Sequence, residues 1–456
     1  MVKVVKFGGS SLANAGQLKK VFDILKEDKE RKYVVVSAPG KRDDDDTKVT
    51  DMLIAYHRAY LNGADTAKIE EQIITRFTDM LIELDMDVET FEPIINDNVT
   101  ALSTIQVEGN EFLLDAFLSS GENINAQIIA EYLTQYGLKA RYLHPHEVGI
   151  IVTPEPHNAR MIDKYYKQIA EINDGYDGIT VIPGFFGVTE EGQTCAFSRG
   201  GSDISGSIVA AGVGAELYEN FTDVDGIFAA HPGIVHEPMI VEEVTYREMR
   251  ELAYAGFTIL HDEALMPTYR AKIPVVIKNT NNPSAPGSRI ISSHSADGGK
   301  HSVVGIAGDS GFSSISISKY LMNREIGFTR RVLQILEDYS INFHHMPTGI
   351  DDISILVRTR DLTEDLEEQI KFRIKNELDA DDVFILNDLS TIAVVGDGVY
   401  NQKGLLSKAT TALAHADVNI SMITQGTKEN SIMFGIKTPD LNSAIRALYT
   451  AFFEMV

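Results

Sequence analysis

The chain has 456 residues, 44% of them hydrophobic, which is too long for one ordinary domain and enough for more than one sizeable core. Forty-one Lys and Arg against 66 Asp and Glu leave a net charge of −25, which argues against nucleic acid or an anionic membrane as a partner. The single Cys195 excludes an intrachain disulfide and a cysteine-built metal site; with no leader-like opening and no apolar run near the ~18 residues that span a bilayer, the expectation is a soluble, cytoplasmic protein.

Val2, Val4, Val5 and Phe7 form a short β-prone run that stops at Gly8-Gly9, and Ser10, Ser11 and an amphipathic segment over 12–30 follow, so the order is strand, glycine turn, helix. Two readings stand for this corner. The glycines and the helix-start amides, with Lys6 beside them, suit a phosphate, or the corner is a tight βα turn with a solvated edge charge. Neither a Walker A pattern nor G-x-G-x-x-G occurs in the chain. A second apolar run over 33–37 leads to Ala38-Pro39-Gly40, and the βαβ alternation predicts a mostly parallel sheet between helices.

The charge run over 41–48 reads as a solvated loop, and Thr50 reads as the N-cap of the next helix. Residues from about 65 to 118 are helical and acidic, the pattern of a helical insertion. Ser119-Ser120-Gly121-Glu122 then leads into an amphipathic helix over 123–136, which puts Glu122 at a helix start, either taking a ligand ammonium or acting as a cap. Strand-like runs follow at 140–145, 149–153 and 178–189.

A second double glycine, Gly200-Gly201, sits between Arg199 and Ser202-Asp203 ahead of a helix of small residues. Arg199 offers a planar fork that matches a carboxylate. Asp203 pins Lys6, binds a metal, or is an ordinary first-turn carboxylate. Two glycine corners, each with a cation, fit phosphoryl transfer, which rests on positioning and charge neutralisation. Thr222-Asp223 and Asp225-Gly226 end a strand, where nucleotide hydroxyls and magnesium are met, or form a plain Asp-Gly turn. Loop-like composition over 281–288 and 292–302 sets the main domain boundary near 295–304.

Beyond it the stretch from Gly327 aligns without gaps on the stretch from Gly404, at a constant offset of 77 residues. Two copies of one supersecondary unit predict paired βαββαβ modules. His344 and His345, adjacent on a strand, should face opposite ways and share no metal.

KFGGSS (6–11), SAPG (37–40), SSGE (119–122), FSRGGSD (197–203), TDVDGI (222–227) and NISMITQG (419–426) together resemble the aspartate kinases of the amino-acid-kinase superfamily, over essentially the whole chain. The carboxyl-terminal units resemble that family's two ACT regulatory domains, and the arrangement resembles the monofunctional enzymes without a fused homoserine dehydrogenase. The resemblance implies an α/β amino-acid-kinase domain over 1–300, then two ferredoxin-like ACT domains at about 305–385 and 386–456 unless the two interleave.

It further implies transfer of the ATP γ-phosphoryl group to the β-carboxylate of L-aspartate, with Mg²⁺, as the first step toward lysine, threonine and methionine. Lys6, Asp203 and Arg199 would be catalytic. Gly8, Gly9 and Ser10 would cradle phosphates, with Thr222, Asp223 and Phe228 along the nucleotide. Thr50, Glu122, Arg199 and Ser202 would hold aspartate, and no side chain is assigned to metal. The ACT pair implies a homodimer or dimer of dimers that binds lysine, and threonine in some members, with Met322, Glu325, Phe328, Asp351 and Asp352 as effector contacts.

The chain departs from the family at Phe228-Ala-Ala-His-Pro-Gly233, where many members carry tyrosine and then Thr-Asp-Pro-Arg. It departs again at Thr258, where lysine is common; Lys278 reads as a strand residue with a solvated tip, or as a substitute cation. Two rival readings remain. A kinase for glutamate or a nucleotide would share the Lys-Gly-Gly corner without FSRGGSD and the repeat, and an amino-acid sensor would use the kinase fold only as a scaffold.

Overall fold

The computed structural model describes residues 2–105, 109–172, 175–198, 200–257, 260, 262–294 and 302–454. These group into two units, one of Met1–Ile227, Ile240–Tyr246 and Ile259–Gly298, the other of Phe228–Met239, Arg247–Thr258 and Gly299–Val456.

The first unit is built on an eight-stranded sheet of β1 (Lys3–Phe7), β2 (Arg31–Val36), β3 (Ala140–Tyr142), β4 (Ile179–Pro183), β5 (Leu217–Thr222), β6 (Glu243–Thr245), β7 (Val275–Asn279) and β8 (Ser288–Ile291). Its order is β6-β8-β7-β5-β1-β2-β4-β3, and every pair is parallel except β7 with β8. Successive strand residues point to opposite faces. Val5 and Phe7, Val34 and Val36, and Ile179 and Val181 therefore enter one core with helices α1 (Ala15–Glu27), α2 (Val49–Leu61), α3 (Ala67–Glu83), α4 (Val88–Ala101) and α5 (Asn110–Gln135). The alternate residue Lys6 is turned to the other face, where α6 (Gly201–Val213) packs on β1, β2 and β5.

Three helix boundaries differ from the sequence expectation. α5 runs unbroken for 26 residues and buries side chains all round, so Ser119-Ser120-Gly121-Glu122 lies inside it and opens no new helix. The small residues serve packing: a Cβ on Gly121 would meet Ala38 Cβ at 3.0 Å and Val49 and Leu53 of α2 at 3.2 Å. α1 starts later than residue 12, because Asn14 caps it by accepting a bond from the Gln17 amide, and a 3₁₀ turn over Gly9–Leu12 intervenes. Lys48, not Thr50, is the N-cap of α2, so Thr50 lies in its first turn.

The second unit holds a six-stranded antiparallel sheet of β9 (Gly305–Ser318), β10 (Phe343–His345), β11 (Asp352–Arg358), β12 (Asp382–Val395), β13 (Ile420–Thr424) and β14 (Ser431–Lys437), in the order β10-β11-β9-β12-β14-β13. β9 and β12, 14 residues each, serve both repeats. The second half of β9 pairs with β11, while its first half pairs with the end of β12, which in turn pairs with β14. Helices α7 (Phe328–Asp338), α8 (Glu364–Glu377), α9 (Leu405–His415) and α10 (Leu441–Tyr449) complete it, and α7 and α9 begin and end at the 77-residue offset.

His344 and His345 do not diverge as a regular strand would make them. The register of β10 shifts between Phe343 and His345, and the two rings lie 4.9 Å apart. Among the described residues, no helix is long and apolar enough to cross a membrane.

Candidate functional site

Side chains gather beyond the carboxyl ends of β1, β2, β4 and β5, the usual place for a ligand in an open parallel sheet. Lys6, near the end of β1, is 8% exposed and pairs with Asp203 in the first turn of α6, Nζ to Oδ1 at 2.7 Å. Of the alternatives for Asp203, the structure has it pinning Lys6. Asn220, level with Lys6 on β5, donates its Nδ2 to the same Oδ1 at 2.8 Å. The lysine is thus held from one side. A Cβ on Gly8 would fall 3.3 Å from its Nζ, so glycine keeps the ammonium uncrowded on the other.

The Gly8 amide donates to the Phe221 carbonyl at 3.1 Å and is spent within the fold. The Gly9 and Ser10 amides head the 3₁₀ turn, where the first amides have no partner inside the turn. Ser11, behind them, is buried and bonds Thr280 through hydroxyls 2.7 Å apart. Gly40, after β2, stacks its backbone on this turn and donates to the Gly9 carbonyl at 2.9 Å.

Glu122 of α5 is 6% exposed, and its Oε2 makes no hydrogen bond with the described residues. Burial pushes its carboxyl up to about 8, although the Ala38 amide favours the ionised form. An orphaned buried carboxyl of this kind suits a cationic ligand group. It does not sit in the field of a helix N-terminus, as its place in the sequence suggested. Ser202 lies against Gly184 just past β4, and Asn125 ties α5 to the Ser37 carbonyl at 2.7 Å. Arg199 and Thr258 lie outside the described residues.

Thr222 ends β5 and donates to Asp223 at 3.2 Å, while Asp225 accepts from Asn279 at 2.8 Å and Asn282 at 3.3 Å. Phe228 groups with the second unit. Lys278 places its ammonium over the Phe221 ring, 5.8 Å from the centroid. Gly233 donates to His231 Nδ1 at 3.0 Å.

Among the candidate effector residues, Met322 and Phe328 belong to the core of the first repeat. Asp351 accepts from the Leu321 amide at 2.8 Å, Asp352 accepts from Ser318, and Glu325 pairs with Lys319 at 3.2 Å and with Arg331.

Two parts of the site escaped sequence reading. Asn220 is one polar residue in a buried strand with no motif around it. Asp115, fully buried on α5, accepts from the Ala196 amide at 2.7 Å and the His157 amide at 3.1 Å, and pairs with His157 Nδ1 at 2.5 Å. It anchors the strand that enters the Phe197–Asp203 segment, a role visible only once distant segments meet.

The profile of the amino acid kinase family matches residues 1–279, and an ACT domain profile matches residues 392–452. Aspartokinase 3 of Bacillus subtilis is 48% identical over 455 residues, covering 100% of this chain and 99% of that protein. The chain belongs to the aspartokinases. A crystal structure of an aspartate kinase from Clostridium acetobutylicum superposes on this aspartokinase with a TM-score of 0.86 at 37% identity, covering 99% of this chain and 100% of the other. E. coli aspartokinase III shares the fold at 20–21% identity, with a TM-score of 0.80 for its complex with aspartate and ADP (R-state) and 0.78 for its complex with lysine and aspartate (T-state); coverage is 99% of this chain, and 100% and 99% of those chains. The activity of the chain is that of an aspartate kinase, with ATP as substrate. The shape of the Lys6 corner and the family therefore point the same way.

Proposed function

We propose that the β1–β2–β4–β5 corner carries the transfer, with Lys6 acting on the moving phosphoryl group. An oxygen of the aspartate β-carboxylate attacks the γ-phosphorus, the bond to the β,γ-bridging oxygen breaks, and ADP leaves. The acceptor is already ionised at neutral pH, so no general base is required. The work is charge neutralisation and alignment, which a preorganised cation can supply.

In this reading Asp203 and Asn220 hold Lys6 toward the transferring oxygens, and the Gly9 and Ser10 amides receive phosphate. Glu122 takes the substrate ammonium, Arg199 grips a carboxylate, and Thr50 and Ser202 complete the acceptor site. Thr222 and Asp223 lie along the nucleotide. Asp203 is committed to Lys6 and Asn220, and Asp225 to Asn279 and Asn282. Among the described residues no three His, Cys, Asp or Glu side chains are placed to hold a metal. Mg²⁺ fits this reading through the phosphates of the nucleotide, where it would neutralise their charge.

The observation that carries the proposal is the Lys6–Asp203 contact at 2.7 Å beside Gly8. Steady-state kinetics of Lys6→Ala test it. The expected result is a kcat lower by about 10²–10³-fold with a smaller change in KM, the loss met when one preorganised charge donor is removed. A normal kcat would sink the role.

We infer further that the enzyme works in the cytoplasm as a homodimer or dimer of dimers. Its ACT repeats bind lysine as a feedback inhibitor, with Met322, Glu325, Phe328, Asp351 and Asp352 near the effector. The E. coli complex with lysine and the matching ACT profile support this reading. Millimolar lysine, alone and with threonine, added to the same assay tests it.

A further inference from the structure

Arg76 lies on α3, in the helical segment, at a position that its periodicity marks only as part of an amphipathic face. It is 3% exposed. Its Nη2 donates to the Ala13 carbonyl at 2.6 Å and to the Gly40 carbonyl at 3.1 Å, so one nitrogen bridges the end of the Gly9–Leu12 turn and the Ser37–Gly40 segment. Its Nε has no hydrogen-bond partner among the described residues and lies 3.8 Å from Asp46. Asp46 in turn is gripped by the Arg42 amide at 2.9 Å and by its guanidinium at 3.0 and 3.1 Å, and Arg42 also lies 3.7 Å from Asp79 of α3.

The two segments that Arg76 joins are already in backbone contact. The Gly40 amide bonds the Gly9 carbonyl, and a Cβ on Gly40 would fall 2.8 Å from the carbonyl carbon and oxygen of Gly9. One segment leads to the amides proposed for phosphate. The other passes Ala38, whose amide faces Glu122, and runs on through Asp46 to Thr50. The spacing between donor and acceptor sides is therefore set where Gly9 meets Gly40. Opening the bridge would leave a buried guanidinium without these bonds, which is costly.

We propose that Arg76 is a positioning residue that fixes the distance between the phosphate turn and the aspartate-binding side. The inference rests on the assignment of those two sides made above. Each substrate should then bind nearly normally without it while their reaction slows, because misplacement by about 1 Å can cost ~10²-fold in rate.

The test is steady-state kinetics in both substrates, calorimetric binding of ADP and a thermal melt, on Arg76→Met, Arg76→Lys, Gly40→Ala and the Arg76→Met/Gly40→Ala pair. The expected result is kcat lower by about 10- to 100-fold in Arg76→Met and in Gly40→Ala. In Arg76→Met both KM values and the ADP affinity should stay within about threefold, since the groups proposed to bind each substrate are untouched, whereas Gly40→Ala, whose Cβ would fall 3.0 Å from the Ser10 amide nitrogen, is read on kcat alone. Arg76→Lys should fall between these and the parent, and the double variant should be no worse than the worse single one, because both changes open one contact. Full kcat per folded molecule in the variants, or a loss confined to KM, overturns the proposal. Should Arg76→Met not fold, Arg76→Lys decides it on the same criteria and Gly40→Ala on kcat. Lys6→Ala, run alongside, separates the layers: full activity there overturns the phosphate turn itself, whereas loss there with full kcat in the Arg76 variants overturns only the role of Arg76.

Discussion

Glu122 is a buried carboxyl, and one of its oxygens has no hydrogen-bond partner among the described residues. Its ordinary value near 4.5 rises to about 8, so the folded protein holds a proton that the unfolded chain releases between those two pH values. The stabilising effect of that proton is whole below about 4.5 and drains away as pH climbs to about 8. Glu122→Gln should therefore melt higher than the parent at pH 8 and no higher near pH 4.5, while binding aspartate less well. In the parent, kcat/KM for aspartate should rise from pH 7 toward 8 as the carboxylate forms. A flat profile in both experiments would remove the ammonium role. The two corners, Lys6 with Gly8-Gly9 and Arg199 with Gly200-Gly201, stood out in the sequence because a doubled glycine beside a cation is a local pattern, and the Lys6–Asp203 contact is one of the alternatives read for Asp203. Glu122 was singled out as a helix start, which it is not, and Asn220, Asp115 and Arg76 were not singled out, since their hydrogen-bond partners lie 17, 42 and 36 residues away or more.

Elements were legible where a period survived. Val5 and Phe7 against Val4 and Lys6 declare the two faces of β1, and α7 and α9 keep the 77-residue offset read from the repeat. α5 was misread because a helix buried on all sides has no polar face to mark its phase, and its small residues imitate a turn. Both α7 and α9 begin after a glycine in the left-handed region, Gly327 at φ 79° and Gly404 at φ 85°. Among the described residues no atom lies within 4 Å of a Cβ at Gly404, so backbone strain is what opposes a side chain there. Gly404→Ala should cost about 1 kcal/mol and lower the melting temperature by about 2–4 °C. An unchanged melt would show that the backbone relaxes at no cost.

Over the whole molecule, the charge of −25 sets a repulsive field for ATP and aspartate alike. Lys6 is a buried cation at the transfer corner, held from one side by Asp203. The chain also passes between its two units five times, at 227/228, 239/240, 246/247, 258/259 and 298/299. Residues 228–239 and 247–258 bond within the second unit: Met239 to Tyr449 at 2.8 Å, Glu248 to the Asp397 amide at 2.7 Å and Glu251 to Ser431 at 2.9 Å. Protease nicking between 294 and 302 should give two bands on a denaturing gel and one particle on gel filtration. Separation of the fragments without denaturant would contradict that bonding.

The same weave bears on ancestry. A recombination event that swapped the carboxyl-terminal half by one crossover near residue 300 would leave two short segments of the old gene stitched into the new domain, facing partners they had not evolved beside. Exchange of regulation between such enzymes is thus expected to proceed by drift within one gene more readily than by transplanting a module, and a designer grafting a new sensor must carry residues 228–239 and 247–258 along with it.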